Sequence, residues 1–142
     1  RVLYFQRTRL PEAEERRFHA SYAPLAQLLA ESDWVVPQVP RTPSTRGMIG
    51  RAELSQVKPG ACIVNVADAA VIEREALIEA LREKRLGGFA LDPAYQEPMP
   101  DDDELLKLDN VIITPHMGGS PRFNGLNDLE QLITGLARAT VP

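Results

Sequence analysis

The chain is poor in the features that announce several common function classes. Its single cysteine, Cys62, cannot make an internal disulfide. Neither His19 nor His116 stands near the cysteine or the other histidine at metal-ligand spacing, so no metal is expected. No apolar run approaches the ~18 residues that a membrane-spanning helix needs, and nothing resembles a signal peptide. Positive charge is not in excess: 16 Lys and Arg against 20 Asp and Glu give a net charge of −4. That balance argues against nucleic acid or an anionic membrane as a main partner. Cys62 lies in the apolar run "ACIVNV" and reads as a buried structural thiol, which fits a reduced, cytoplasmic setting.

What is present fits one soluble globular domain, with 142 residues of which 44% are hydrophobic and 25% charged. "RVLYF" reads as a strand from the first positions, without Met or a polar lead-in, so further sequence is expected before Arg1. "LPEAEERRFHA" is a helix with Pro11 at its start, acids in its first turn and basic residues after them, as a helix dipole prefers. Leu25, Leu28 and Leu29 fall at helical spacing. "DWVVPQV" reads as a strand, and Pro37 within it predicts an edge position or a distortion. A turn and a short helix follow, closed by Pro59-Gly60, and "ACIVNVA" is then a continuous apolar strand. "EREALIEALREKRLGG" is the clearest helix: Leu77, Ile78, Ala80 and Leu81 face inward, Glu79 and Glu83 face outward, and Gly87-Gly88 ends it. "FALD" and "VIIT" are two more short strands. The pattern of positions 121–139 predicts a last helix with Leu126, Leu129, Leu132, Ile133 and Leu136 on one face.

Apolar strands separated by helices predict a parallel sheet covered on both faces, and such sheets bind ligands beyond the carboxyl ends of their strands. Polar and small residues gather there: Gln6 to Arg9, "PRTPST", "ADAA", Asp92 and Glu97, and "PHMGGS". In "NVIITPHMGGS" a buried strand stops on a histidine and glycines clear the space around it. His116 either caps a strand end without chemistry or sets a titrating group beside a ligand.

These segments resemble the nucleotide-binding domain of the D-isomer-specific 2-hydroxyacid dehydrogenases over nearly the whole chain. The stretches that carry the likeness are "LLAESDWVVPQVPRTPSTRGMIGRAELSQVKPGACIVNVA", "EALIEALREKRLGGFALD" and "LLKLDNVIITPHMGG". The resemblance implies a Rossmann-type, doubly wound α/β sheet lacking its first strand and glycine-rich loop, since no G-x-G-x-x-G occurs. Residues 1–142 would be part of an NAD(P)-binding domain, with the substrate-binding domain absent and no activity expected of this stretch alone. The activity implied is hydride transfer between a nicotinamide cofactor and a 2-hydroxy or 2-oxo acid, in a homodimer. His116 matches the family's general acid/base and Glu97 its carboxylate partner, which favours the protonated ring. Asp92 matches the aspartate that meets the nicotinamide carboxamide. Rim position and resemblance together give a cofactor-contacting set of Gln6, Arg7, Thr8, Pro40, Thr45, Val66, Ala67, Asp92, His116, Gly118 and Gly119.

One departure from the family bears on catalysis. Where the family has the arginine that binds the substrate carboxylate, this chain has Asp68. Two carboxylates at ~4 Å repel by about 4 kcal/mol at an effective dielectric near ~20, so ordinary turnover is expected to suffer. Arg122 is a weak substitute cation. A non-catalytic relative, using the fold for cofactor sensing or assembly, therefore stands as the alternative reading, and a non-nucleotide α/β module as a third. The cofactor expectation is NADP before NAD. Strand "RVLYF" ends on Gln6 rather than an acid, and Arg7 and Thr8 suit a 2′-phosphate. The competing reading makes Arg7 and Arg9 solvated surface charges.

Overall fold

Every strand pairing in the computed structural model, which describes residues 1–116, is parallel. The expected last helix, with Gly118, Gly119 and Arg122, lies outside the described residues. Strand β1 (Val2–Tyr4) pairs with β2 (Ala20–Tyr22), and the connection is helix α1 (Glu12–Phe18). Pro11 precedes α1, Glu12, Glu14 and Glu15 fill its first turn, and Arg16 and Arg17 its last. His19 closes it in the left-handed conformation at φ 50°. The short strand "ASY" has no apolar run to announce it, and it takes its place by pairing Tyr22 with Tyr4.

After helix α2 (Leu25–Glu31) comes a second sheet in the order β3-β4-β5-β6. Its strands are β3 (Trp34–Val35), β4 (Cys62–Asn65), β5 (Gly88–Leu91) and β6 (Val111–Ile113). β3 is an edge of this sheet and stops before Pro37, as a residue without an N–H requires. Helices α3 (Arg51–Leu54) and α4 (Arg74–Arg82) are the remaining α-helices among the described residues.

The register divides this sheet into two unlike faces. Val35, Ile63, Phe89, Asn65 and Leu91 point to one side and are buried. There Val35, Ile63, Phe89 and Leu91 join Leu54, Leu77, Ile78, Ala80, Leu81 and Leu105 in a single core. Each fully buried leucine contributes roughly 1.5–3 kcal/mol by leaving water. On the other side stand Trp34, Cys62, Val64, Ala90 and Ile112, of which Trp34 and Ile112 are well exposed. The expectation of cover on both faces thus holds for one face among the described residues. Cys62 is half-buried rather than buried, because its register partner on β5 is Gly88, which has no side chain to lay over the thiol.

No strand lies between β1 and β3 among the described residues. The open edges of the two strands instead line a common groove of ≈ 680 Å³, with Val2, Tyr4, Gln6, Leu28, Trp34 and Val36 on its walls. This is the position of the first strand in the order of a doubly wound sheet.

Helix α4 ends earlier than its glycines suggest: Glu83 caps it and Lys84 turns the chain at φ 56°. Gly87 serves a different end. A Cβ there would lie 2.3 Å from the carbonyl oxygen of Gly60, while the Gly87 N–H donates to Ala61 O at 2.9 Å. Backbone presses on backbone, so neither side can yield cheaply. Gly87→Ala is expected to lower stability by roughly 1–3 kcal/mol, read as a fall in thermal or urea midpoint; an unchanged midpoint would refute the close approach.

Candidate active site at the carboxyl rim

The carboxyl ends of β3 to β6 lie side by side, and each delivers polar residues to the same rim. At the end of β4, Asn65 is fully buried. Its amide donates to Asp68 O at 2.9 Å and its carbonyl accepts from Ala67 N at 3.1 Å, fixing the turn through Val66 and Ala67. Val66 projects from that turn with 46% exposure. Asp68 caps the 3-10 turn Ala69–Val71, its Oδ1 accepting from Ala70 N at 2.9 Å. Its Oδ2 lies 3.5 Å from Arg41 Nε. Asp68 is therefore not a bare charge turned toward the rim, as its place in the sequence implied.

The loop after β3 is closed by Thr45, whose hydroxyl donates to Pro40 O at 2.6 Å and accepts from Thr42 N at 2.8 Å. The loop is also stitched to the β4 turn, because Gly47 N donates to Ala70 O at 2.7 Å and Ile49 N to Val71 O at 3.0 Å. At the end of β5, Asp92 is 5% exposed and accepts from the Thr114 hydroxyl, which comes from the end of β6. Main-chain bonds tie the three strand ends together: Asp92 N donates to Asn65 O at 3.0 Å and Thr114 N to Leu91 O at 3.1 Å.

Glu97 and His116 meet. The His116 Nδ1 lies 3.1 Å from Oε1 and 3.0 Å from Oε2 of Glu97. His116 sits in the left-handed region at φ 53°, where a residue with a Cβ pays on the order of 1–2 kcal/mol. Both partners are half-exposed to exposed, which leaves the pair open to solvent and to ligands.

At the end of β1, the Gln6 amide donates to Thr8 O at 2.6 Å and folds the turn that carries Arg7. Arg9 is taken up elsewhere. Its Nε and Nη2 donate to the two oxygens of Glu15 at 2.7 and 2.8 Å, and Tyr4 donates its hydroxyl to the same carboxylate at 2.6 Å. The Tyr4 oxygen in turn accepts from Leu10 N at 2.8 Å. Arg7 makes no hydrogen bond or ion pair among the described residues. The sequence reading missed this cluster, and its only sequence signal is an arginine six residues ahead of an inward-facing glutamate across a proline. Of the expected site residues, the structure brings Glu97 to His116 and sets Val66, Ala67, Asp68 and Asp92 on adjacent strand ends. Gln6, Arg7 and Thr8 stand apart from these, at the end of β1.

Residues 1–118 match the family described as D-isomer specific 2-hydroxyacid dehydrogenase, NAD binding domain. The chain belongs to this family. It is 46% identical over 133 residues to a glyoxylate reductase of Thermococcus gammatolerans, covering 94% of this chain and 39% of that protein. It is 41% identical over 140 residues to glyoxylate/hydroxypyruvate reductase B of Enterobacter agglomerans, covering 96% and 43%. The chain thus spans about two fifths of the length of the curated relatives it matches.

Among solved structures, the apo form of Rhodotorula graminis D-mandelate dehydrogenase superposes with a TM-score of 0.81 at 31% identity, over 92% of this chain and 37% of that one. Two similar structures hold cofactors. A formate dehydrogenase of Staphylococcus aureus is in complex with NAD (TM-score 0.68, 26% identity, 80% of this chain and 37% of that one). A D-isomer specific 2-hydroxyacid dehydrogenase of Xanthobacter autotrophicus Py2 is in complex with NADPH and MES (TM-score 0.64, 37% identity, 69% and 32%). No helix among the described residues is long and apolar enough to cross a membrane.

The Glu15 cluster yields a pH signature. Hydrogen bonds from Arg9 first, and from Tyr4 second, hold the Glu15 carboxyl down to about 2, from its ordinary value of 4.5. A depressed acid stabilises the fold above its unfolded value, and that contribution fades as pH falls from 4.5 toward about 2. Glu15→Gln should therefore be less stable than the parent at neutral pH, with the gap in melting temperature closing through that acid window. A gap that stays constant from pH 6 to about 2 would contradict the assignment.

Proposed function

We propose that this chain supplies the cofactor-binding and proton-transfer part of an enzyme that interconverts a small 2-oxo acid and its 2-hydroxy acid, with NADP preferred to NAD. The His116–Glu97 pair carries this reading. The pair is an imidazole at a strand end with a carboxylate 3.0 Å from its Nδ1, a group able to give and take a proton. The donor set suits a nicotinamide: exposed Val66 offers an apolar face, and buried Asp92, held by Thr114, offers a carboxylate to an amide N–H. When bound, the cofactor supplies or accepts the hydride.

With Nδ1 engaged by Glu97, Nε2 is the nitrogen left to exchange a proton with the substrate oxygen. In the reducing direction the protonated ring gives its Nε2 proton to the carbonyl oxygen as the carbonyl carbon gains a hydride, and in the oxidising direction the ring takes it back. Glu97 fixes the orientation of the ring through Nδ1. The likeness to glyoxylate and glyoxylate/hydroxypyruvate reductases supports a small 2-oxo acid as substrate. The reading also carries a cytoplasmic homodimer, on the strength of family membership and a lone free thiol. A non-catalytic, cofactor-sensing relative is the second reading, and the observation in its favour is Asp68 at the family's arginine position.

The test uses the polypeptide that carries this chain, assayed for NADPH oxidation with glyoxylate. His116→Gln should lower kcat by about 100-fold or more, and Glu97→Gln by roughly tenfold. NADPH oxidation without dependence on glyoxylate, or full activity in His116→Gln, would overturn the proposal.

The cofactor preference rests on Arg7. Arg9 is committed to Glu15, whereas Arg7 stands exposed beside Thr8 with no acid at the end of β1 to repel a 2′-phosphate. Arg7→Ala should weaken NADPH binding by about tenfold while leaving NADH binding nearly unchanged. Tighter binding of NADH than NADPH by the parent, at equal salt, would reverse the assignment.

A further inference from the structure

We propose that Arg41 is the cation that binds the substrate carboxylate, and that Asp68 positions it. This rests on the dehydrogenase reading above and deepens it. The family resemblance expects an arginine where Asp68 stands, and the structure answers that loss with a cation one loop away. Arg41 Nε lies 3.5 Å from Asp68 Oδ2, so a guanidinium from the loop after β3 stands beside the end of β4.

The two residues are held in register by the backbone around them. Thr45 closes the loop that carries Arg41 through Pro40 O and Thr42 N. That loop is tied to the β4 turn by Gly47 N to Ala70 O and Ile49 N to Val71 O. On the other side, Asn65 holds Asp68 by its main-chain oxygen, and Asp68 Oδ1 is fixed by Ala70 N. Only Oδ2 is left to meet the guanidinium.

The arginine has donors to spare. A guanidinium carries five N–H groups in a planar fork, and an aspartate at Nε uses only part of one edge. Neither Nη of Arg41 donates to a partner among the described residues, and the side chain is 67% exposed at the rim. The fork is thus available to a second carboxylate, which it can grip with two parallel hydrogen bonds. A pair this open to water contributes little to folding, so stability is a poor reason for it. The substrate class that suits it is a small 2-oxo acid monoanion with its carboxylate next to the reacting carbonyl.

The experiment uses the polypeptide that carries this chain, with three variants: Arg41→Gln, Asp68→Asn, and the exchange Arg41→Asp with Asp68→Arg. Two readouts are taken, KM for glyoxylate in the NADPH assay and calorimetric binding of oxalate, an unreactive dicarboxylate. Arg41→Gln should raise KM and weaken oxalate binding by about tenfold or more each, with NADPH affinity changed by less than about twofold. Asp68→Asn should show the same pattern at about threefold, and the exchange should recover most of the loss. A purely structural role would instead lower the melting temperature and shift NADPH affinity together with KM, and would overturn the proposal.

The two readings fail separately. Turnover in the parent with KM and oxalate binding unchanged in Arg41→Gln defeats the anchor and leaves the dehydrogenase standing. Oxalate binding that depends on Arg41, without turnover in the parent, keeps the anchor and defeats the dehydrogenase. A parent that binds neither glyoxylate nor oxalate defeats the anchor outright.

Discussion

Asn65 ends β4 with its side chain fully buried, and it commits both ends of its amide to the turn that follows. An amide left unpaired in that position would cost roughly 1–3 kcal/mol. The turn therefore keeps one shape, and much of the rim hangs from it. Val66 is pushed outward, Asp68 is brought round to cap the next turn, and Ala70 presents its carbonyl to Gly47. Through Gly47 the loop closed by Thr45 is fixed as well. The main-chain oxygen of Asn65 accepts from Asp92 N and so aligns the end of β5. A single polar residue in the core sets the positions of groups from three strands.

The acids of the rim are distinguished by the partners they have. Asp92 is buried against a hydroxyl, Glu97 sits in the open against an imidazole, and Asp68 divides its oxygens between an amide and a guanidinium. Glu15, on helix α1, is saturated by Arg9 and Tyr4. Its effect reaches the rim indirectly: by engaging Arg9 it leaves Arg7 as the cation at the end of β1 without a partner among the described residues. Partner chemistry, more than the identity of each acid, decides which charges are free to act on a ligand.

The strands and helices that rest on periodicity were legible in the sequence. Leu77, Ile78, Ala80 and Leu81 are buried as their spacing requires, and Pro37 stops β3 at a sheet edge. The pairing of Glu97 with His116 was also foreseeable, since both follow successive strands of one parallel sheet. Features that depend on pairing across the chain were not. The strand at Ala20–Tyr22 is too short and too polar to show a period, and it exists because β1 offers an edge. Cys62 lost its cover to a glycine on the neighbouring strand, a fact of register alone. The contact of Arg41 with Asp68 joins loops 27 positions apart, and nothing in the local sequence of either announces the other.

Trp34, the chain's one tryptophan, stands on the lip of the groove between β1 and β3, and it is 65% exposed. An indole already in water gains little further hydration when the chain unfolds. Its emission should therefore change weakly through global unfolding, and circular dichroism is the better probe of the transition. The same position makes it a selective reporter. A polypeptide segment settling between the two open strand edges would take the indole out of water and shift its emission to shorter wavelength, while events around His116 and Glu97 would leave the spectrum almost untouched.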